Sequence, residues 1–212
     1  MSLDAIYNAV LSGNASGAKS EVLAALAAGT SAEAILNQAC IPAMTEVGRL
    51  FEIGENFVPE MLIAARAMSA AANILKPLLA EEGVEQIGTV IVGTVAGDLH
   101  DIGKNLVGMM MEGAGFKVID LGTDVSPQKF VDAVKAENPD IIAMSALLTT
   151  TTKSMMATVE ALNVAGVRDR VKVMVGGAPI TQDFADRVGA DGFAIDAASA
   201  ARKAKELLGI AA

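Results

Sequence analysis

Tryptophan is absent from this chain of 212 residues, and aromatic residues make up only 3% of it. The hydrophobic core must therefore consist of alanine, valine, leucine, isoleucine and methionine. Cysteine occurs once, as Cys40, which excludes an internal disulfide and is typical of a reducing cytosol. Histidine also occurs once, so His100 is the most informative single residue in the composition.

Positive charge is scarce as well. The chain has 16 basic against 25 acidic residues, which gives a net charge of -9 at pH 7. Phosphate binding needs a basic surface, so we expect no nucleic acid partner. The longest uncharged stretch, residues 5–18, is too short and too polar to span a bilayer, and no secretory signal pattern is present. The sequence thus predicts a cytoplasmic protein with no membrane partner.

The first part of the chain has a helical pattern. Alanine, leucine and methionine recur there at three- and four-residue spacings, and β-branched runs are missing. Residues 30–33 read as a capping box for a helix that continues to Phe51. Pro59 begins another helix, which runs towards Leu79. With two shorter segments before them, these helices predict a four-helix domain over residues 1–84.

The pattern changes after a linker predicted at residues 81–83. Short apolar, β-rich runs follow, each with a helical stretch after it: 89–93, 117–120, 140–144, 171–175 and 192–195. Apolar strands that alternate with helices predict an α/β, doubly wound (Rossmann- or flavodoxin-like) parallel sheet of five strands over residues 85–212. Such sheets bind ligands outside the carboxyl ends of their strands.

Polar residues and glycines follow three of the predicted strands, and parallel strands would bring them to one edge. They include Asp98, His100, Asp101, Gly103, Ser145, Thr149, Thr151, Gly176 and Gly177, and the apolar Leu147 lies among them. His100 could ligate a metal through one ring nitrogen while Asp98 accepts a hydrogen bond from the other, and Thr151 could extend that chain. One histidine cannot hold free zinc or iron, because such sites need three or four protein ligands. A metal bound here must arrive with its other ligands attached, which points to a macrocycle.

Structural interpretations stand beside these functional ones. Asp98 or Asp101 could cap the following helix, and His100 alone could be a loop histidine with satisfied hydrogen bonds. Ser145 and Thr149 could bond to the local backbone at the strand end.

Other residues also have structural interpretations. The methionine run at residues 109–111 predicts core packing, and Phe51 could belong to the core of the helical bundle. Lys104 and Arg66 are expected to be solvated.

Three motifs occur in order along the second half of the chain. They are Asp98-x-His100-x-x-Gly103, then after 41 residues Ser145-x-Leu147, then after 28 residues Gly176-Gly177. Together they resemble the cobalamin-binding signature. Residues 47–60 and 64–68 resemble the helical cap of methionine synthase, so the resemblance covers nearly the whole chain. It extends to the corrinoid proteins of methylamine, methanol, betaine and aryl-methyl-ether methyltransferase systems.

The resemblance implies a cobalamin or related corrinoid, in its methylcobalamin and cob(I)alamin forms. His100 would be the lower ligand of cobalt, and Asp98 and Thr151 would complete a catalytic hydrogen-bonded relay. The other cofactor-binding residues that it implies in the sheet domain, mainly along the nucleotide tail, are Asp101, Gly103, Ser145, Leu147, Thr149, Gly176, Gly177, Asp191 and Phe193. Phe51 and Val58 of the cap would shield the upper, methyl-bearing face.

The implied function is that of a methyl carrier, a non-catalytic subunit of a methyltransferase system. A substrate-specific methyltransferase would deliver the methyl group to cobalt(I). An acceptor methyltransferase would then pass it to tetrahydrofolate or coenzyme M. A reductive activation protein is a further implied partner. The sequence leaves the methyl donor, the acceptor and the oligomeric state open.

Three alternative functions remain for comparison. The small subunit of an adenosylcobalamin mutase shares the histidine motif but does not usually carry this cap. A cobalamin-based sensor has a helical cap but needs a DNA-binding module, and no basic segment of that kind is seen. A phosphoacceptor receiver domain would need an aspartate at the end of the third strand, where this chain has Ser145.

Overall fold

The computed structural model describes residues 3–83 and 86–210 and divides the chain into two compact units. One unit contains residues up to 87 together with 113–115, and the other contains residues 88–112 and those from 116 onward. The domain boundary predicted between residues 84 and 85 lies outside the described residues.

The first unit is helical, as predicted. Its elements are α1 Leu3–Leu11, α2 Ala15–Ala27, α3 Ala32–Ile35, a π-helical turn Leu36–Cys40, α4 Ile41–Glu52 and α5 Val58–Glu82. The run from α3 to α4 was predicted as one helix opened by Thr30. Instead, Ser31 caps it, with its side chain accepting a hydrogen bond from the N–H of Ala34. Pro42 follows the π turn, and because proline has no N–H for the carbonyl four residues earlier, the wider turn accommodates it.

Helix α5 begins as predicted but ends later. Pro59 lies in its first turn, and the carboxylate of Glu60 accepts a hydrogen bond from the N–H of Phe57 at 3.0 Å. The helix continues through residues 81 and 82, so the predicted linker is wrong for these two residues. Gly83 ends the helix with φ +69°, a left-handed conformation that favours glycine.

By length and composition, α5 is apolar enough to cross a membrane. However, its Met61, Met68 and Leu75 side chains are buried within the helical unit. This pattern is typical of the core helix of a globular domain.

The second unit is a parallel sheet with helices on both faces, which confirms the predicted fold class. Its strands are β1 Thr89–Thr94, β2 Lys117–Asp120, β3 Ile141–Ser145, β4 Lys172–Gly176 and β5 Gly192–Ala194. Its helices are α6 Ile102–Gly113, α7 Pro127–Glu137, α8 Thr152–Val164, α9 Gln182–Val188 and α10 Ala197–Leu207. The strand order is β2-β1-β3-β4-β5, and all neighbouring strands are parallel.

This strand order places the switch point of the sheet between β1 and β3. The chain leaves β1 towards β2 on one side and leaves β3 towards β4 on the other. Right-handed crossovers therefore put α6 and α8 on opposite faces. Helices α7, α8 and α9 pack on one face over a core that includes Ile142, Val173, Phe130 and Met155. A crevice at the carboxyl ends of β1 and β3 follows from this topology.

The predicted exposure of single residues is only partly right. Within the methionine run, Met110 and Met111 are buried, as the core interpretation requires. Lys104, by contrast, is only 3% exposed, so its prediction as a solvated residue is wrong. Its ammonium group pairs with the carboxylate of Asp120 and donates a hydrogen bond to the amide oxygen of Asn105. These partners compensate for its loss of water.

Candidate functional site

The crevice at the switch point is formed by two loops. The loop after β1 carries Asp98 and His100 before α6 begins, and the loop after β3 carries Thr151 at the start of α8. The structure brings these three predicted residues into hydrogen-bonding contact.

Asp98 is the centre of this contact, and its side chain is fully buried. Its Oδ1 accepts hydrogen bonds from Nδ1 of His100 at 2.7 Å and from the N–H of His100 at 3.1 Å. Its Oδ2 accepts from the N–H groups of Leu147 at 2.8 Å and Leu148 at 3.2 Å, and from Oγ1 of Thr151 at 2.8 Å. The carboxylate therefore ties the two loops together rather than capping α6.

The electrostatics of Asp98 follow from these contacts. Burial alone would raise the pKa of this carboxyl, but the hydrogen bonds from the His100 side chain, from the backbone of Leu147 and His100, and from Thr151 outweigh it. The pKa therefore lies well below its usual range, and Asp98 is ionised at neutral pH.

An ionised carboxylate only accepts hydrogen bonds, so Nδ1 of His100 must carry the proton in this contact. In the neutral imidazole this leaves the lone pair on Nε2. The His100 side chain is 51% exposed, so part of the ring is open to a ligand. A histidine that donates from one nitrogen to a buried carboxylate and offers the other is the usual arrangement of a metal ligand with an orienting partner.

Thr151 has one hydroxyl proton and two acceptors. Its Oγ1 lies 2.8 Å from Oδ2 of Asp98 and 2.8 Å from the carbonyl oxygen of Leu148. The proton is therefore shared between the carboxylate and the local backbone. Thr151 can add to the charge stabilisation of Asp98, as the relay requires, while it also fixes the turn before α8.

The donor set and the shape of the crevice fit a corrinoid. Within residues 3–83 and 86–210, no group of three or more His, Cys, Asp or Glu side chains could hold a metal ion. A metal at His100 must therefore bring its other ligands with it. The apolar side chains of Leu99 and Leu147, on the two loops, and of Ile102, the first residue of α6, are exposed, as contact with a large macrocycle requires. A Cβ atom added at Gly103 would meet no atom within 4 Å, so the start of α6 leaves open space.

Comparison with known proteins agrees with this geometry. A family model described as a B12 binding domain matches residues 88–205, and a second model with the same description matches residues 2–76. The chain belongs to the B12-binding corrinoid proteins of methyltransferase systems.

Two curated relatives and one solved structure show the extent of the similarity. Dimethylamine corrinoid protein 3 of Methanosarcina mazei is 48% identical over 166 residues, which are 78% of this chain and 99% of the relative. Trimethylamine corrinoid protein 1 of Methanosarcina acetivorans is 45% identical over 186 residues, covering 87% of this chain and 86% of the relative. The methanol:cobalamin methyltransferase complex MtaBC of Methanosarcina barkeri contains a chain that matches with a TM-score of 0.86 and 28% identity. The match covers 98% of this chain and 79% of that one.

The glycine pair of this corrinoid protein lies at the same carboxyl edge, and Ser145 pairs with Gly176 in the sheet register. A Cβ atom at Gly177 would lie 1.9 Å from the carbonyl oxygen of Ala146, and Gly177 has φ +124°. The backbone therefore requires glycine at Gly177 whether or not a ligand is bound. At Gly176 the added atom would lie 3.1 Å from the carbonyl oxygen of Ala194, which is a tight but smaller conflict.

Asp191, which was predicted to bind the cofactor, does not lie at this edge. Asp191 precedes β5, at the amino end of the sheet, and its carboxylate accepts hydrogen bonds from the N–H of Val173 and from Arg168. Its carboxylate is thus engaged at the opposite edge, and its role near the end of the nucleotide tail stays a prediction. Phe193 is half-buried within β5 and packs against the core of the sheet unit.

The remaining residues predicted to bind the cofactor are exposed or half-buried. Asp101 is exposed and precedes α6; its carbonyl accepts the N–H of Asn105 at 2.8 Å, and its carboxylate accepts the amide of the same residue at 3.2 Å. Thr149 is exposed in the loop after β3. In the helical unit, Phe51 is half-buried near the end of α4, and Val58 is exposed at the start of α5.

Sequence reasoning missed several residues that contact the loop of His100, among them Thr94 and Asp124. Thr94, fully buried at the end of β1, donates a hydrogen bond from Oγ1 to the carbonyl oxygen of His100 at 2.9 Å. Asp124 accepts a hydrogen bond from the N–H of Gly97 at 2.7 Å, and its own N–H donates to the carbonyl of Asp98 at 3.0 Å. Both residues could have been found from their positions at the carboxyl ends of β1 and β2, because that edge of a doubly wound sheet forms the binding site.

Proposed function

We propose that this corrinoid protein binds cobalt through Nε2 of His100 and carries methyl groups from a methylated amine to a second methyltransferase. The observation that carries the proposal is the contact of His100 with the buried, ionised carboxylate of Asp98. It holds the proton on Nδ1 and leaves Nε2 for a metal. The similarity to relatives named for dimethylamine and trimethylamine supports an amine as the donor.

The corrinoid, when bound, supplies a cobalt atom that can accept a methyl group and give it up again. The residues of the chain prepare its place. Asp98 fixes the tautomer and direction of the imidazole, and Thr151 supports the carboxylate from the other loop. Gly103 leaves room at the start of α6, and the exposed Leu99 and Ile102 would offer apolar surface to a bound corrinoid.

The partners in this proposal are two methyltransferases and a reductive activation protein, all in the cytoplasm. The first methyltransferase would recognise the amine, and the second would use coenzyme M or tetrahydrofolate as acceptor. The similarity to a chain of a methanol:cobalamin methyltransferase complex supports a methyltransferase partner.

Electron paramagnetic resonance of the cobalt(II) form tests the ligand assignment. His100 is the only histidine, so protein grown with ¹⁵N-histidine carries the label at one residue. We expect the nitrogen superhyperfine pattern to change from a triplet to a doublet on labelling and to disappear in His100→Ala. A triplet that persists in the labelled protein would assign the ligand to the nucleotide base of the corrinoid and contradict the proposal.

Methylation of the reduced protein tests the donor. The cob(I)alamin absorbance should be lost when a methylated amine and its methyltransferase are added together, and not when either is omitted. Methanol with its own methyltransferase is the matched comparison. If methanol with its methyltransferase methylates the protein and the amine with its methyltransferase does not, the amine assignment is wrong, while the ligand assignment is unaffected. Product analysis with coenzyme M and with tetrahydrofolate then identifies the acceptor.

A further inference from the structure

We infer that Thr94 is a positioning residue for His100: its buried hydroxyl fixes the main chain of the ligand loop and so strengthens ligation of cobalt. Thr94 ends β1, and its Oγ1 donates to the carbonyl oxygen of His100 at 2.9 Å. The inference rests on the proposed role of His100 as the metal ligand.

The backbone of Thr94 is itself firmly held. Its N–H donates to the carbonyl of Gly122 at 3.0 Å, and its carbonyl accepts the N–H of Val125 at 2.9 Å. A threonine in a buried strand has few side-chain conformations, and its hydroxyl must find an acceptor there. The carbonyl of His100 is that acceptor. Thr94 is thus a rigid point from which the loop can be held.

The contact with Thr94 complements those made by Asp98. The N–H and Nδ1 of His100 both bond to Oδ1 of Asp98, so these contacts hold the amino side of the residue and its ring. The hydroxyl of Thr94 holds the carbonyl on the other side. At the beginning of the loop, Asp124 accepts the N–H of Gly97 and donates its own N–H to the carbonyl of Asp98. The ring is thereby presented from a loop fixed at both ends.

Loss of the hydroxyl would release one end of this loop. The carbonyl of His100 lies two residues before α6, and within the part of the chain that the structure describes no backbone N–H bonds to it. Without its donor the loop can adopt further conformations, in which Nε2 is misplaced for cobalt. One hydrogen bond of this kind corresponds to about a three- to tenfold change in an equilibrium constant, so ligation should weaken by about that factor.

The cobalt(II)/cobalt(I) midpoint potential of the reconstituted full-length protein measures this weakening. A nitrogen ligand stabilises cobalt(II) relative to four-coordinate cobalt(I), so weaker ligation raises the potential. A tenfold loss corresponds to about 59 mV for one electron, and a threefold loss to about 28 mV. We expect Thr94→Val to shift the potential upward towards that of His100→Ala, and Thr94→Ser, which keeps the hydroxyl, to remain near wild type.

Thr158→Val is the matched control. Thr158 is also fully buried, but its hydroxyl donates to the carbonyl of Ser154 within α8, so its loss should leave the potential unchanged. If Thr94→Val does not fold, Thr94→Ala, which also removes the hydroxyl, takes the place of Thr94→Val in the comparison. A wild-type potential with intact nitrogen splitting in the folded hydroxyl-free variant would show that Thr94 only satisfies its own burial. A potential that does not change even in His100→Ala would overturn the ligand assignment, and the inference with it.

Discussion

Replacement of Gly103 by alanine should act in opposite directions on the protein and on its cofactor complex. Gly103 lies in the first turn of α6, and an added Cβ atom would meet no protein atom within 4 Å. Alanine stabilises a helix by up to about 1 kcal/mol relative to glycine, so the apo-protein should gain some stability. In a chain of this size that corresponds to an increase in melting temperature of about 2–4 °C.

The same methyl group occupies the space in which we place the corrinoid. Inserting a methyl group into a filled site costs about 1–3 kcal/mol. Corrinoid affinity should therefore fall by about fivefold to 150-fold, at about 1.4 kcal/mol for each factor of ten. Thermal unfolding of the apo-protein and titration with hydroxocobalamin measure the two effects separately.

Gly108→Ala is the control within the same helix. An added Cβ atom there would lie 3.6 Å from Cγ1 of Val118, which is ordinary contact, so the helix should gain stability without a change in corrinoid affinity. Equal affinities in Gly103→Ala, Gly108→Ala and wild type would refute our placement of the cofactor. Gly177 cannot serve for this test, because any side chain there collides with the carbonyl of Ala146 and disturbs the fold itself.

Three further predictions address separate parts of the molecule. Asp98→Asn must turn an amide N–H₂ towards one of the donors that now bond to the carboxylate, so the apo-protein should lose about 2 kcal/mol of stability in urea at pH 7. Because the fold lowers the pKa of Asp98, its carboxylate stabilises the protein above about pH 4 and loses this effect as the pH falls. The free energies of unfolding of wild type and Asp98→Asn should therefore converge in acid, and a difference that does not change with pH would contradict the assignment. Burial raises the pKa of Cys40 to about 12, so its thiol should react with a disulfide reagent only after unfolding, and rapid reaction of the native protein would contradict its burial. The resemblance to the cap of methionine synthase implies that Phe51 shields the methyl group, so Phe51→Ala should keep corrinoid affinity but accelerate anaerobic photolysis of methylcobalamin. The exposed Leu23→Ala in the same unit should not accelerate it, and equal rates in wild type and Phe51→Ala would assign Phe51 to the bundle core.

The parallel sheet could be predicted because each strand is a continuous apolar run between polar or glycine-rich segments. The predicted strands begin and end within one residue of the observed ones, as β1 shows with its extension to Thr94. The ends of helices were harder to predict. Two adjacent residues with hydroxyls, Thr30 and Ser31, could each cap α3, and only the backbone conformation selects Ser31. Glu81 and Glu82 were assigned to a linker, although both are compatible with the exposed end of a helix.

The site was predictable where its residues follow a motif and less so where they meet through the fold. The contact of Asp98 with His100 is local, two residues apart, and could be proposed from the sequence. Lys104 was misjudged because it lies in α6 while its partner Asp120 lies on β2, and nothing in the sequence shows that the two side chains meet. The hydroxyl of Thr94 was missed for the same reason, since its acceptor lies across a loop.

The topology of the sheet explains why a carboxylate is buried at this point. The chain leaves β1 and β3 towards opposite sides of the sheet. Leu147 and Leu148 follow the end of β3, so their N–H groups lie outside the hydrogen-bond ladder between the strands. Asp98 satisfies both of them with Oδ2 and binds His100 with Oδ1. The hydrogen bonds that complete the fold therefore also fix the tautomer of the histidine. Substitution of Asp98 must change stability and ligation together, whereas Gly103→Ala should raise the stability of the apo-protein and lower its affinity for the corrinoid.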